Sequence, residues 1–165
     1  METLLGKLGH VLGGLPCQQE RTGPSSKKRI IRLKYLLDTN ICIYIIKQKD
    51  SALLRRLQSF KEGEIGISAI TIAELEYGVA RSAQSQRNRL ALASFLIPFE
   101  VVDFDQEAAM DYGLIRAWLD KEGKPIGSMD MLLAAQARSK GIVLVTNNER
   151  EFGKVPGLQL ENWTK

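Results

Sequence analysis

Short apolar runs, each followed by a polar spot and then by a helical pattern, constrain this chain more than any other feature. Asp38 follows Tyr35-Leu36-Leu37, Glu74 lies past Ile65-Gly66-Ile67, and Asn148 with Glu151 lies past Ile142 to Val145. Asp130 sits in Gly127-Ser128-Met129-Asp130, at the mouth of an apolar stretch. Strands separated by helices imply right-handed crossovers and a mainly parallel sheet covered by helices. In such a sheet the carboxyl ends of the strands share one edge, which is where open α/β folds place their ligands.

Along the chain, Tyr35 to Asp38 reads as the first strand, with Asp38 or Thr39 capping a helix rich in Ile41, Tyr44, Ile45 and Ile46. A more polar helix is expected from Asp50 to Phe60, then a strand over Ile65 to Ser68. Thr71 is expected to open a helix whose Ile72, Leu75 and Val79 share one face. Another helix is expected over Gln84 to Leu96, a strand over Glu100 to Phe104, and a long helix through Ala108, Tyr112, Ile115 and Leu119 that stops near Gly123. Ser128 is expected to cap a nearly all-apolar central helix over Met129 to Ser139. Strands are expected over Ile142 to Val145 and over Leu158 to Leu160. The fold class is therefore α/β, with four to five strands sandwiched by helices.

The 165 residues suit one domain. The texture changes near Leu33. Residues 1–32, with Gly13-Gly14, Gly23-Pro24-Ser25-Ser26 and Lys27-Lys28-Arg29, are expected to be a disordered basic extension, and residues 33–165 the folded domain. The formal charge of +4 belongs to that extension: residues 1–34 hold seven Lys or Arg against two Glu, leaving sixteen basic against seventeen acidic residues beyond. The basic balance therefore says little about what the folded part binds. No stretch has the length and apolarity of a membrane span or a secretory signal, so a cytoplasmic protein is expected.

Cys17 and Cys42 form no C-x-x-C pair, and the only histidine is His10. A zinc site, a Ser-His-Asp triad, a Cys-His pair and paired-histidine RNA cleavage are thereby removed. The chemistry must run on carboxylates, amides and hydroxyls. Each acid on its own has a capping explanation: Asp38 at a helix start, Thr71-x-x-Glu74 as a capping box, and Asp130 in a first turn. Caps have no reason to converge, whereas a parallel sheet brings Asp38, Glu74 and Asp130 to one crevice. Two carboxylates ~4 Å apart repel by ~4 kcal/mol at an effective dielectric near ~20, so a cation is needed between them. Oxygen ligands without His or Cys point to Mg²⁺ or Mn²⁺, and those ions to a phosphodiester substrate.

Four stretches carry a resemblance to a known family: Tyr35 to Asn40, Ser68 to Leu75, Gly123 to Asp130, and Val145 to Asn148 with Arg150-Glu151-Phe152. In order and spacing they resemble the PIN-domain ribonuclease toxins of VapC type, from about Leu33 to Trp163. The resemblance implies a Mg²⁺- or Mn²⁺-dependent endoribonuclease, the toxin of a bacterial toxin-antitoxin pair, cutting tRNA or rRNA by in-line attack of a water that the ion activates. It implies Asp38, Glu74 and Asp130 as metal ligands. Many relatives carry Thr-Asn-Asp where this chain has Thr146-Asn147-Asn148, so Asn148 replaces a carboxylate and Glu151 is the candidate to supply the charge. Thr39, Asn40, Thr146 and Asn147 are expected to orient the carboxylates. Arg116, Lys124 and Arg150 are candidates for RNA backbone contacts. A VapB-type antitoxin and a homodimer are the implied partners. Leu33-Lys34-Tyr35 resembles a usual family start, so residues 1–32 are also expected to be artefactual.

Other classes place acids at strand ends too. A Mg²⁺-dependent phosphatase expects D-x-D-x-T, whereas Asp38 is followed by Thr39 and Asn40, and a receiver-like domain expects adjacent acids around its first strand. A non-catalytic acidic pocket that binds a basic partner is the remaining alternative.

Overall fold

The apolar runs do form the strands: β1 (Tyr35–Leu37), β2 (Ile65–Ser68), β3 (Glu100–Val102), β4 (Val143–Val145) and β5 (Leu160–Glu161). They make one sheet in the order β3-β2-β1-β4-β5, and every pairing is parallel. The computed structural model describes residues 33–47 and 51–165, so the expected extension over 1–32 lies outside the described residues. Strands apolar on both faces are what a sheet covered on both sides requires. Side chains alternate accordingly: Leu36 and Leu144 point into one core, while Leu37, Ile65, Ile67 and Val145 point into the other.

The first core is closed by α1 (Thr39–Lys47), α2 (Ser51–Gln58), α3 (Ala69–Ala80) and α4 (Ser85–Leu96), through residues such as Ile41, Leu57, Leu75 and Phe95. The second is closed by α5 (Gln106–Glu122), α6 (Ser128–Ser139) and α7 (Glu149–Phe152), through Ile115, Leu119, Leu133 and Phe152. At Gly66 in β2 a side chain would be crowded, since a Cβ there would lie 2.7 Å from a Val102 methyl, 2.8 Å from a Leu33 methyl and 3.2 Å from the Glu100 carbonyl, and those neighbours would have to shift. Gly123 closes α5 in the left-handed conformation, φ 64°, which glycine adopts without steric cost. Among the described residues no helix is long and apolar enough to cross a membrane.

Several boundaries differ from expectation, each for a local reason. The expected Thr71-x-x-Glu74 capping box does not form. The helix opens two residues earlier, at Ala69, because Ser68 keeps extended geometry at the end of β2 and its side chain accepts from the Ile70 N–H at 3.0 Å. Thr71 is instead buried and donates to the Leu37 carbonyl at 3.4 Å. Ser128 is not a cap either: Gly127 holds the cap position without a side-chain bond, and Ser128 is the first helical residue. The third strand ends at Val102 rather than Phe104, and the last one is Leu160–Glu161 rather than Leu158 to Leu160.

The expected apolar face of α6 contains one fully buried amide, Gln136. Its Nε2 donates to the Val102 and Asp103 carbonyls at 3.0 and 2.9 Å, and its Oε1 accepts from the Ser68 hydroxyl. That side chain ties α6 to the ends of both β2 and β3. Replacing it by the similar-sized Gln136→Leu leaves the Ser68 hydroxyl and the Val102 and Asp103 carbonyls without this partner, the first two in buried bonds, so the chain should lose about 2–3 kcal/mol. A lower urea midpoint at unchanged slope is the expected reading, and a midpoint equal to wild type would contradict the tie.

Candidate active site

The sheet order has its switch point at β1: the chain moves from β1 outward to β2 and β3, then returns to the other side of β1 as β4. A crevice forms outside the carboxyl ends of strands at such a point. The register aligns those ends, since Leu37 pairs with both Ile67 and Val145. The next residues of the three strands are Asp38, Ser68 and Thr146, so the chain places a carboxylate between two hydroxyls.

Asp38 is 2 % exposed. Its Oδ2 accepts from the Thr146 hydroxyl at 2.8 Å, and the backbone N–H groups of Thr39 and Asn40 at the start of α1 also face its carboxylate. Thr146 Oγ1 is itself the acceptor for the Asn148 N–H at 2.9 Å. The hydroxyl thus accepts from Asn148 and donates its one proton to Asp38. Burial raises the Asp38 pKa above the ordinary carboxylate value, the Thr146 bond and the two N–H groups pull it back, and the charge on Glu74 raises it further.

Glu74 lies in the second turn of α3, and Thr39 from the first position of α1 donates a hydrogen bond to it. Asp130 lies in the first turn of α6. Its pKa is raised to about 6, first by burial and then by the charges of Asp38, Glu74 and Glu151. Four acids from distant parts of the chain therefore act on one volume. Among the described residues Glu151, on α7, differs from the other three in forming an ion pair, with Lys154 Nζ at 2.7 Å.

Of the expected orienting residues, Thr39 and Thr146 bond the carboxylates directly, whereas Asn40 reaches Asp38 through its backbone N–H. Asn148 contributes its backbone N–H at the start of α7, and its side chain makes no capping bond there. Asn147 is exposed. Lys154 was not anticipated from the sequence; its signal was the three-residue spacing from Glu151 on a helical turn. Arg116 is engaged by Tyr112 and Asp120, and Lys124 by Glu122 and the Trp118 ring. Arg150 is exposed and has no ion pair among the described residues.

Among the described residues no three His, Cys, Asp or Glu already stand in a group that closes on a metal ion. The donor set nonetheless fits a hard divalent cation. It is all oxygen, two of its carboxylates are fixed by hydroxyl donors, and the pKa values of Asp130 and Asp38 are raised first by burial and then by neighbouring carboxylates, with no lysine or arginine paired to either among the described residues.

The PIN domain family model matches residues 35–158. A tRNA(fMet)-specific endonuclease VapC of Shigella flexneri is 42 % identical over 132 residues, covering 80 % of this chain and 99 % of its own length. Ribonuclease VapC2 of Haemophilus influenzae is 44 % identical over 131 residues, 79 % of this chain and 98 % of its own. Among solved structures, VapBC2 from Rickettsia felis bound to a DNA fragment from their promoter superposes with a TM-score of 0.75 at 38 % identity, over 79 % of this chain and 99 % of that one. With the family model spanning most of the folded residues and relatives this similar over nearly their whole length, the chain belongs to the VapC group of PIN-domain ribonucleases.

Proposed function

We propose that Asp38, Glu74 and Asp130 hold a Mg²⁺ or Mn²⁺ ion, with Glu151 adding its charge beside them and the Asn148 N–H steadying Thr146, and that the site cleaves tRNA. The observation that carries this reading is the convergence of Asp38, Glu74 and Glu151 on Asp130 at the switch point of the sheet. The tRNA assignment is supported by likeness to the Shigella flexneri endonuclease over nearly its whole length. When bound, the ion supplies positive charge against the scissile phosphate and lowers the proton affinity of nearby water.

The chain's own residues do the positioning. Thr146 holds the Asp38 carboxylate in one orientation, and Thr39 does the same for Glu74. Asp130, with a pKa raised to about 6, is the acid whose ionisation the cation most needs, so protons compete with metal there below that pH. Arg150, exposed on α7 beside Glu151, is the basic residue best free to meet the RNA backbone. A VapB-type antitoxin is the proposed partner, supported by the solved VapBC2 relative, together with a homodimer and a cytoplasmic location.

Asp130→Asn and Glu74→Gln should keep the wild-type circular dichroism spectrum and lose Mn²⁺-dependent RNA cleavage by ~100-fold or more, at least the size seen when groups orienting a metal ligand are removed. Either variant cutting at the wild-type rate, in preparations free of other nucleases, would refute the assignment.

Burial of Asp130 together with the charges around it also predicts a pH effect on the metal-free protein. Folding raises the Asp130 pKa from 3.8 to about 6, so the folded state disfavours its ionised form. The penalty sets in as pH climbs above the unfolded value and is complete above about 6. Asp130→Asn should therefore raise the metal-free Tm at pH 7.5 by ~2–4 °C, the size of about 1 kcal/mol after allowing for solvent at a partly exposed group. The gain should shrink towards pH 4. Thermal scans at both values, showing no gain at pH 7.5, would contradict this cost of ionising Asp130.

A further inference from the structure

Glu151 is the acid of this cluster that carries its own cation. Lys154 Nζ lies 2.7 Å from Glu151 Oε2, and both side chains are largely withdrawn from solvent, at 27 % and 29 % exposure. An exposed pair one turn apart on a helix is usually a minor surface feature. This one has a third member: the same Nζ donates to the Pro125 carbonyl at 3.2 Å, 29 residues away in the chain. Pro125 belongs to the loop that leads into α6 and Asp130. Lys154 is thus held between the two segments that bring Glu151 and Asp130 together, and leaving would cost it both partners.

We propose that Lys154 occupies the place a second divalent ion would take beside Glu151, so that this nuclease site binds a single ion, on Asp38, Glu74 and Asp130. The inference rests on the metal-site reading given above. Four ionised carboxylates carry four negative charges. Lys154 reduces the sum to three, and one divalent ion leaves the site near −1, which still attracts a cation but no longer balances two. The oxygen that Lys154 engages is also one a second ion would need, and an ammonium and a divalent ion sharing it would repel. Lys154 acts here through Glu151 and is a positioning residue rather than one that touches RNA.

The test is Mn²⁺ binding to the full chain without RNA, so that no substrate phosphate recruits ions, read as stoichiometry by calorimetry and by the electron paramagnetic resonance signal of free Mn²⁺. Wild type should bind one ion. Lys154→Gln, which keeps a donor for the Pro125 carbonyl while removing the charge, and Lys154→Met should each bind two. Lys154→Arg should stay at one, and adding Glu151→Gln to Lys154→Gln should return the count to one. Two ions on wild type, or one on both neutral variants with their fold intact, would overturn the proposal. If instead wild type binds none, or Asp130→Asn binds as tightly as wild type, the metal-site reading itself fails.

Discussion

A hydrogen bond from the Thr146 hydroxyl to the Asp38 carboxylate, beside the backbone bond from the Asp38 N–H to the Val145 carbonyl, joins the ends of β1 and β4 at the point where the sheet reverses its order. Burying a carboxylate at the end of a central strand is costly unless donors meet it. Here two backbone N–H groups from α1 and the hydroxyl just past β4 do so, and the hydroxyl in turn accepts from the Asn148 N–H. The start of α1, the β4–α7 junction and the parallel register all serve that contact. Glu74 and Asp130 are then brought up from the flanking helices, one steadied by Thr39 and the other left with a pKa near 6.

The same edge is braced from the protein side by Gln136. Its three bonds fix the ends of β2 and β3 against α6, the helix that carries Asp130. The polar tie inside the core and the polar crevice outside it are thus consecutive along one layer, with Ser68 capping the helix of Glu74 while bonding Gln136. Stability and chemistry share residues here, which is why a cap that looks ordinary in sequence has consequences for the site.

Much of this was legible from the residues. Apolar runs between helical periodicities implied the parallel sheet, and the parallel sheet implied that Asp38, Glu74 and Asp130 converge. The capping assignments were less legible, because Thr71-x-x-Glu74 and Ser128 satisfy local capping rules equally well. The choice between Ser68 and Thr71 was made by where β2 ends and by the buried bond of Thr71 to Leu37, which are tertiary facts. The pairing of Glu151 with Lys154 has a local signal in its three-residue spacing, whereas the tie of Lys154 to the Pro125 carbonyl across the chain has none. That pairing changes the charge available for metal at this corner of the site.

The most direct test of the central claim is anomalous scattering from Mn²⁺ in a crystal of the wild-type chain. The account predicts one strong peak outside the carboxyl ends of β1 and β4, within ~2.0–2.3 Å of oxygens from Asp38 and Asp130 and reached by Glu74 directly or through water. A peak elsewhere on the surface, with the crevice empty at saturating Mn²⁺, would contradict it.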